Sequence, residues 1–265
     1  MTSELAQAPA RNELTELALK ALHLIDLTSL NSDDTDQRIE ALVASADTPV
    51  GTPAALCIYP RFIGTARKAL LARGLKMPIA TVINFPQGNP VPGVAAREIA
   101  EAVALGADEI DVVFPYRALI DGDAQVGREL IGQSRAAAGG KCLKVIIESG
   151  ELKDPQLIRL ASEICIEGGA DFLKTSTGKV PVNATLEAAQ IMLGAIRGSG
   201  RIVGFKAAGG VRTADEAAAY LKLAERILGP TWVTPARFRF GASSLLANLL
   251  ATLGHGNAPT QNNVY

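Results

Sequence analysis

Residues 171–213 read DFLKTSTGKVPVNATLEAAQIMLGAIRGSGRIVGFKAAGGVRT, and this stretch decides the fold. Residues 171–174 form a short, largely apolar run that stops at the turn-forming STGK, which predicts a strand and then a loop. Over residues 185–197, Ala189, Met192, Leu193 and Ile196 fall at i, i+3, i+4 and i+7, the stripe of an amphipathic helix. Gly198 can end that helix in a left-handed conformation, and residues 202–205 begin a second strand that ends in Lys206. Two strands joined by a helix return to the same end and pair in parallel.

Working outward, the same unit recurs. Apolar, often β-branched segments lie at residues 23–27, 55–58, 79–83, 109–114 and 143–147 before it and at 238–240 after it. Strand ends recur every 25–35 residues, near the ~31 of a chain of about 250 residues divided into eight βα units. Asp154-Pro155 has the form of a helix N-cap followed by proline at the first helical position, and Thr213 to Glu216 has capping-box spacing. The expected fold is a single (β/α)8 barrel over residues 1–265, with an N-terminal helix and a mobile tail at 254–265. A doubly wound open sheet is the alternative.

Composition narrows the function. A net charge of -1 and the lack of a basic cluster argue against a nucleic-acid partner. No apolar run approaches the ~18 residues of a membrane span, and residues 1–16 have no apolar core of a secretory signal. Three cysteines, Cys57, Cys142 and Cys165, without paired spacing suggest reduced thiols and a cytoplasmic protein. With only His23 and His255 as histidines, a zinc site is not expected. Two carboxylates could hold Mg2+, but no metal or other cofactor is called for.

In a parallel barrel, reacting groups gather where strands meet the following loops. Strand 1 offers Asp26 and Thr28, strand 4 Asp111, strand 5 Lys144 and Glu148, strand 6 Lys174, and strand 7 Lys206. Desolvation and a second ammonium nearby both disfavour a charged lysine, the condition for a free amine that attacks a carbonyl. A single strand lysine would more simply snorkel outward or pair with a carboxylate. Lys174 and Lys206, both read at strand ends before glycine-containing turns, point together to amine chemistry. Gly209-Gly210 after strand 7 and Ser243-Ser244 after strand 8 precede helices, a recurring phosphate site of barrels, and Gly178-Lys179 can add a positive charge. Cys57, with no histidine to activate it, reads as a small residue lining the substrate pocket. His23 reads as structural.

The segments LTSLN, CIYPRF, ATVINFPQG, GADEIDVVFPYRAL, KVIIESGEL, DFLKTSTGK, GFKAAGGVRT and FRFGASSLL together resemble the 2-deoxyribose-5-phosphate aldolases, most nearly their proteobacterial branch, over residues 24–256. The resemblance implies a metal-free class I aldolase that splits 2-deoxy-D-ribose 5-phosphate into acetaldehyde and glyceraldehyde 3-phosphate. It puts the Schiff-base lysine at Lys174, the second lysine at Lys206, the proton-relaying carboxylate at Asp111 and a further aspartate at Asp26. It puts phosphate and substrate contacts at Thr175, Gly178, Lys179, Gly209, Gly210, Ser243 and Ser244, and a proton-assisting C-terminal tyrosine at Tyr265. Ala207, Gln87 and Ser149 depart from the family's proline, histidine and threonine without removing a reacting group. The partners implied are a small phosphorylated sugar and aldehydes, with no membrane, and a homodimer is an allowed assembly. A phosphosugar isomerase on the same barrel and a non-catalytic phosphosugar-binding protein are the other classes that fit these loops.

Overall fold

The computed structural model describes residues 11–256. Eight strands run through it: β1 (Ile25–Ser29), β2 (Ala55–Ile58), β3 (Ile79–Ile83), β4 (Glu109–Val113), β5 (Cys142–Ile146), β6 (Phe172–Lys174), β7 (Gly204–Ala208) and β8 (Phe238–Ala242). They close in sequence order into a TIM barrel, and β8 pairs back onto β1 in parallel. Helices alternate with the strands, and an extra helix, Arg11–Leu22, packs on Ala214–Leu228 and Leu245–Thr252. The alternating order leaves the parallel sheet covered outside, as parallel sheets require.

Local chemistry sets where the helices start. The side chains of Thr35, Asp123, Asp154, Thr185 and Thr213 each accept an amide of the first turn that would otherwise lack a partner. Pro155 follows Asp154, and Thr213 and Glu216 make the reciprocal capping box.

Of the eight strands β2 and β3 have the expected bounds, and three of the differences elsewhere have a clear physical reason. Helix Leu186–Ser199 runs through Gly198, and Gly200, at φ 65°, takes the left-handed position that ends it. Ile202 is 81 % exposed and lies outside the sheet, so β7 begins at Gly204 and Lys206 stands at its centre, not its end. At β1, the Leu24 amide still donates to Ala21 and the His23 ring nitrogen lies 3.1 Å from the Thr52 carbonyl, so pairing starts at Ile25. Asp26 is therefore the second residue of its strand. Of the expected tail, residues 254 and 255 still donate to the last helix, while 257–265, with Tyr265, lie outside the described residues.

Along each strand the side chains alternate between barrel interior and helix layer. Outward go Ile25 and Leu27, Ile110 and Val112, Leu143 and Val145, Leu173, Phe205, Phe238 and Phe240, all in the main apolar core. Inward, one sector of the barrel is apolar, with Cys57, Ala80 and Val82 packed beneath Leu30. Much of the rest of the interior is charged.

Candidate active site

Six strands supply that charge: Asp26 from β1, Glu109 and Asp111 from β4, Lys144 from β5, Lys174 from β6, Lys206 from β7 and Arg239 from β8. All seven side chains are buried. A buried ion costs several kcal/mol unless it is closely paired, and here each is. Asp111 is the hub. Its Oδ1 lies 2.8 Å from Lys144 Nζ, and its Oδ2 lies 2.8 Å from Lys174 Nζ and 2.7 Å from Lys206 Nζ. Lys174 and Lys206, register partners on adjacent strands, thus donate to one oxygen.

Around the hub the remaining pairs close a network. Lys206 also donates to Asp26 Oδ2, and Arg239 Nη1 lies 2.5 Å from Asp26 Oδ1. Lys144 is 2.5 Å from Glu109 Oε2 and 3.5 Å from Asp26 Oδ2. Gly241 makes room for this arrangement, because a Cβ there would sit 3.0 Å from the Lys206 Cε and 2.9 Å from Ala208 Cβ.

The electrostatics follow from these contacts. Burial alone would raise Asp111, but Lys144, Lys174 and Lys206 hold its carboxyl well below the usual carboxylate range. Asp26 is lowered in the same way, burial being outweighed by Lys206, Lys144 and Arg239. At Lys206 and Lys144 burial opposes the ammonium, yet the facing carboxylates outweigh it and both lie above the ordinary lysine value. Burial by itself therefore does not free these two amines. Within the ion-paired network four cations face three carboxylates, one positive charge in excess, and Glu148 is a further carboxylate that acts on Lys174 without a direct contact.

Lys174 differs from the other two lysines. Among the described residues it pairs with Asp111 alone, whereas Lys206 pairs with two carboxylates and Lys144 with three. It is the last residue of β6, at the loop end of the barrel, so it is the amine that the surplus charge leaves least well held. The structure brings Lys174, Lys206, Asp111 and Asp26 together.

Cys57 reaches this cluster too, its Sγ 3.9 Å from Asp111 Oδ2. Burial pushes its thiol up, which suits a packing residue better than a nucleophile. Thr175 is fully buried, and its hydroxyl is engaged with β7, donating to the Ala208 carbonyl and accepting from the Ala208 amide.

The candidate phosphate residues lie at the same end of the barrel. Gly209 and Gly210 leave β7, Ser243 and Ser244 leave β8, and Gly178 and Lys179 follow β6. The three glycines have positive φ, between 76° and 88°, so their loops turn in a way other residues resist. The Gly209 amide donates to the Gly241 carbonyl at 3.3 Å, tying the β7 loop to strand β8. Among the described residues the amides of Gly210, Ser243 and Ser244 have no hydrogen-bond partner, and the Lys179 ammonium has no ion pair. That leaves donors and charge available to an anion.

Two residues of the site, Glu109 and Arg239, are not among the sequence candidates, whereas Glu148 is one, at the end of strand 5. Glu109 and Arg239 complete the ionic network, and a charged residue flanked by apolar ones, as in FRF, was the available signal. Glu148, left-handed at φ 55° and fully buried, accepts from both the amide and the hydroxyl of Thr177. That hydroxyl in turn accepts the Lys179 amide, so Glu148 pins the β6 loop. A groove of about 350 Å3 lined by Arg159, Gln190, Arg197 and Arg226 lies on the outer helices and shares no residue with this cluster.

Residues 20–251 match the model of the DeoC/LacD family aldolases. Among solved structures, a protein from Toxoplasma gondii ME49, provisionally named a deoxyribose-phosphate aldolase, superposes with a TM-score of 0.84 at 24% identity, covering 92% of this chain and 96% of that one. An aldolase called QR15 gives a TM-score of 0.74 at 27% identity over 88% of this chain and 96% of that one. The tetrameric deoxyribose phosphate aldolase of Aeropyrum pernix gives 0.70 at 24% identity, covering 92% and 98% of the two chains.

Proposed function

The chain belongs to the DeoC/LacD aldolase family, and we propose that it reversibly cleaves 2-deoxy-D-ribose 5-phosphate into acetaldehyde and D-glyceraldehyde 3-phosphate through a Schiff base on Lys174. One observation carries the reading. Two lysines share a single buried carboxylate oxygen, in a cluster with one cation in surplus, and the less well paired lysine stands at the loop end.

The open-chain sugar binds with its phosphate at the Gly209-Gly210, Ser243-Ser244 and Gly178-Lys179 loops and its C1 aldehyde at Lys174. The free Lys174 amine adds to C1 and loses water, giving an iminium. Asp111, through a water, takes the C3 hydroxyl proton. The C2–C3 bond breaks, its electron pair passes to the iminium, and glyceraldehyde 3-phosphate leaves. The resulting enamine is protonated at C2, and water releases acetaldehyde and the amine. Asp111 is so well stabilised as a carboxylate that it suits a relay, which passes a proton on without storing it. Lys206 stays charged throughout and disfavours a second ammonium beside it. No metal or cofactor is required. The three unpaired cysteines are consistent with a cytoplasmic setting.

The test is a coupled assay. Incubation with 2-deoxyribose 5-phosphate should release acetaldehyde, read as NADH oxidation by alcohol dehydrogenase. Isomerisation or binding of the sugar phosphate without acetaldehyde would overturn the assignment.

A further inference from the structure

At the floor of the barrel, Arg239 and Glu109 form a buried pair. Arg239 is the second residue of β8 and Glu109 the first of β4, both on the side away from the loop end where Lys174 stands. Each nitrogen of the Arg239 guanidinium has a partner. Nε donates to the Pro235 carbonyl at 2.5 Å, Nη2 to Glu109 Oε1 at 2.9 Å, and Nη1 to Glu109 Oε2 at 3.2 Å and Asp26 Oδ1 at 2.5 Å. Glu109 passes the chain on to Lys144, and Lys144 to Asp111. Two routes therefore join this pair to the hub that holds Lys174, one through Asp26 and Lys206 and one through Lys144.

We propose that Arg239 and Glu109 are positioning residues that set, through Asp26 and Lys144, the charge felt by the Lys174 amine; the inference rests on Lys174 being the nucleophile. A barrel floor needs no ions to be stable, since apolar residues of similar volume usually serve as well or better. Here Arg239 holds Asp26 by a direct contact, and the pair as a whole adds no net charge, so only the loss of one member alone alters the sum. The groups that face Lys174 or its partners are Asp26 on β1, Cys57 on β2, Glu109 and Asp111 on β4, Lys144 on β5, Glu148 beyond it, Lys206 on β7 and Arg239 on β8. On the inward side β3 contributes only Ala80 and Val82. Removing either floor charge changes the sum in a known direction.

The signs differ, and that makes the test specific. E109Q leaves more positive charge, so protonating the Lys174 amine becomes harder and the acid limb of the pH–rate profile should move to lower pH. R239M leaves less, and its acid limb should move to higher pH. Each shift should be about one pH unit, the scale of one charge acting across a buried cluster. R239K keeps the charge and should leave the limb in place, and E109Q/R239M should return it to the parent position. A purely structural role would lower kcat or the melting temperature without opposed shifts. Limbs that stay put in both single variants, or move the same way, overturn the proposal. Should a single variant fail to fold, R239K and the double variant decide: a limb displaced by about a unit in either overturns it. Trapping the parent with acetaldehyde and borohydride separates the two levels. Label on Lys174 with the wrong limb pattern sinks this inference alone, and a parent unlabelled at Lys174 sinks the nucleophile and this inference together.

Discussion

The two faces of the same strands make opposite demands. On β5, Leu143 and Val145 join the apolar layer beneath the helices, while Lys144 between them meets three carboxylates. On β8, Phe238 and Phe240 stack edge to face at 4.9 Å outside the barrel, while Arg239 between them binds Asp26 and Glu109 inside it. A register slip of one residue would put guanidinium among helices and phenyl rings in the ionic cluster. The outer layer holds the fold by burial, and the inner layer holds charges in place for chemistry. Stability and activity should therefore come apart when the two faces are changed separately.

Lys174→Leu should separate them most. Activity should fall by at least ~10^3-fold, as on loss of a covalent nucleophile, while the fold persists because Asp111 keeps Lys144 and Lys206. Phe205→Ala, on the outer face of β7, should do the reverse. It should cost about 3–5 kcal/mol in denaturant unfolding, with kcat per folded molecule close to the parent. If Phe205→Ala lost turnover without losing stability, the division of labour between the faces would be wrong.

Lys206→Leu comes next. It removes an ammonium that Asp111 and Asp26 hold charged against the effect of burial. The acid limb of the rate profile should move to higher pH, with about a tenfold loss at neutral pH for each unit moved. Raising the pH should recover part of the rate, not all, because the charge also stabilises the transition state. A limb that does not move would show that Lys206 acts on rate alone.

Ser244→Glu tests the loop end against the interior. The KM for deoxyribose 5-phosphate should rise about tenfold or more, through repulsion and a lost donor, and the unphosphorylated sugar should be affected far less. Equal losses would place the damage in the fold or the chemistry. The smallest effect is expected from EDTA, which should leave the rate unchanged because positioned amines supply the electrophile. A loss restored by Zn2+ or Mg2+ would require a different mechanism.

Much of this was legible in the chain, for reasons that particular residues make plain. Lys174 and Lys206 stand out because an ammonium in an apolar run needs an explanation, and the glycines after them mark the loop end. β2 and β3 have the boundaries that their apolar runs predict. β7 was misplaced because Ile202 looks like strand but is exposed beside Gly200, and hydrophobicity alone does not show which way a residue faces. Glu109 and Arg239 were passed over because a charge near the start of a strand reads as a boundary. Their partners lie 130 and 213 residues away, as in Arg239 to Glu109 and to Asp26. The Glu148–Thr177 contact is likewise a meeting of two loops, visible only once the barrel has closed.

The central claim is that Lys174, the lysine with one carboxylate partner, is the one that attacks the substrate. Treating the protein with acetaldehyde and borohydride and mapping the modified peptide tests it directly. The account predicts a single two-carbon addition on Lys174 within DFLKTSTGK, absent from Lys174→Leu. Label on Lys206 or Lys144 in its place, or none under conditions of turnover, would contradict it.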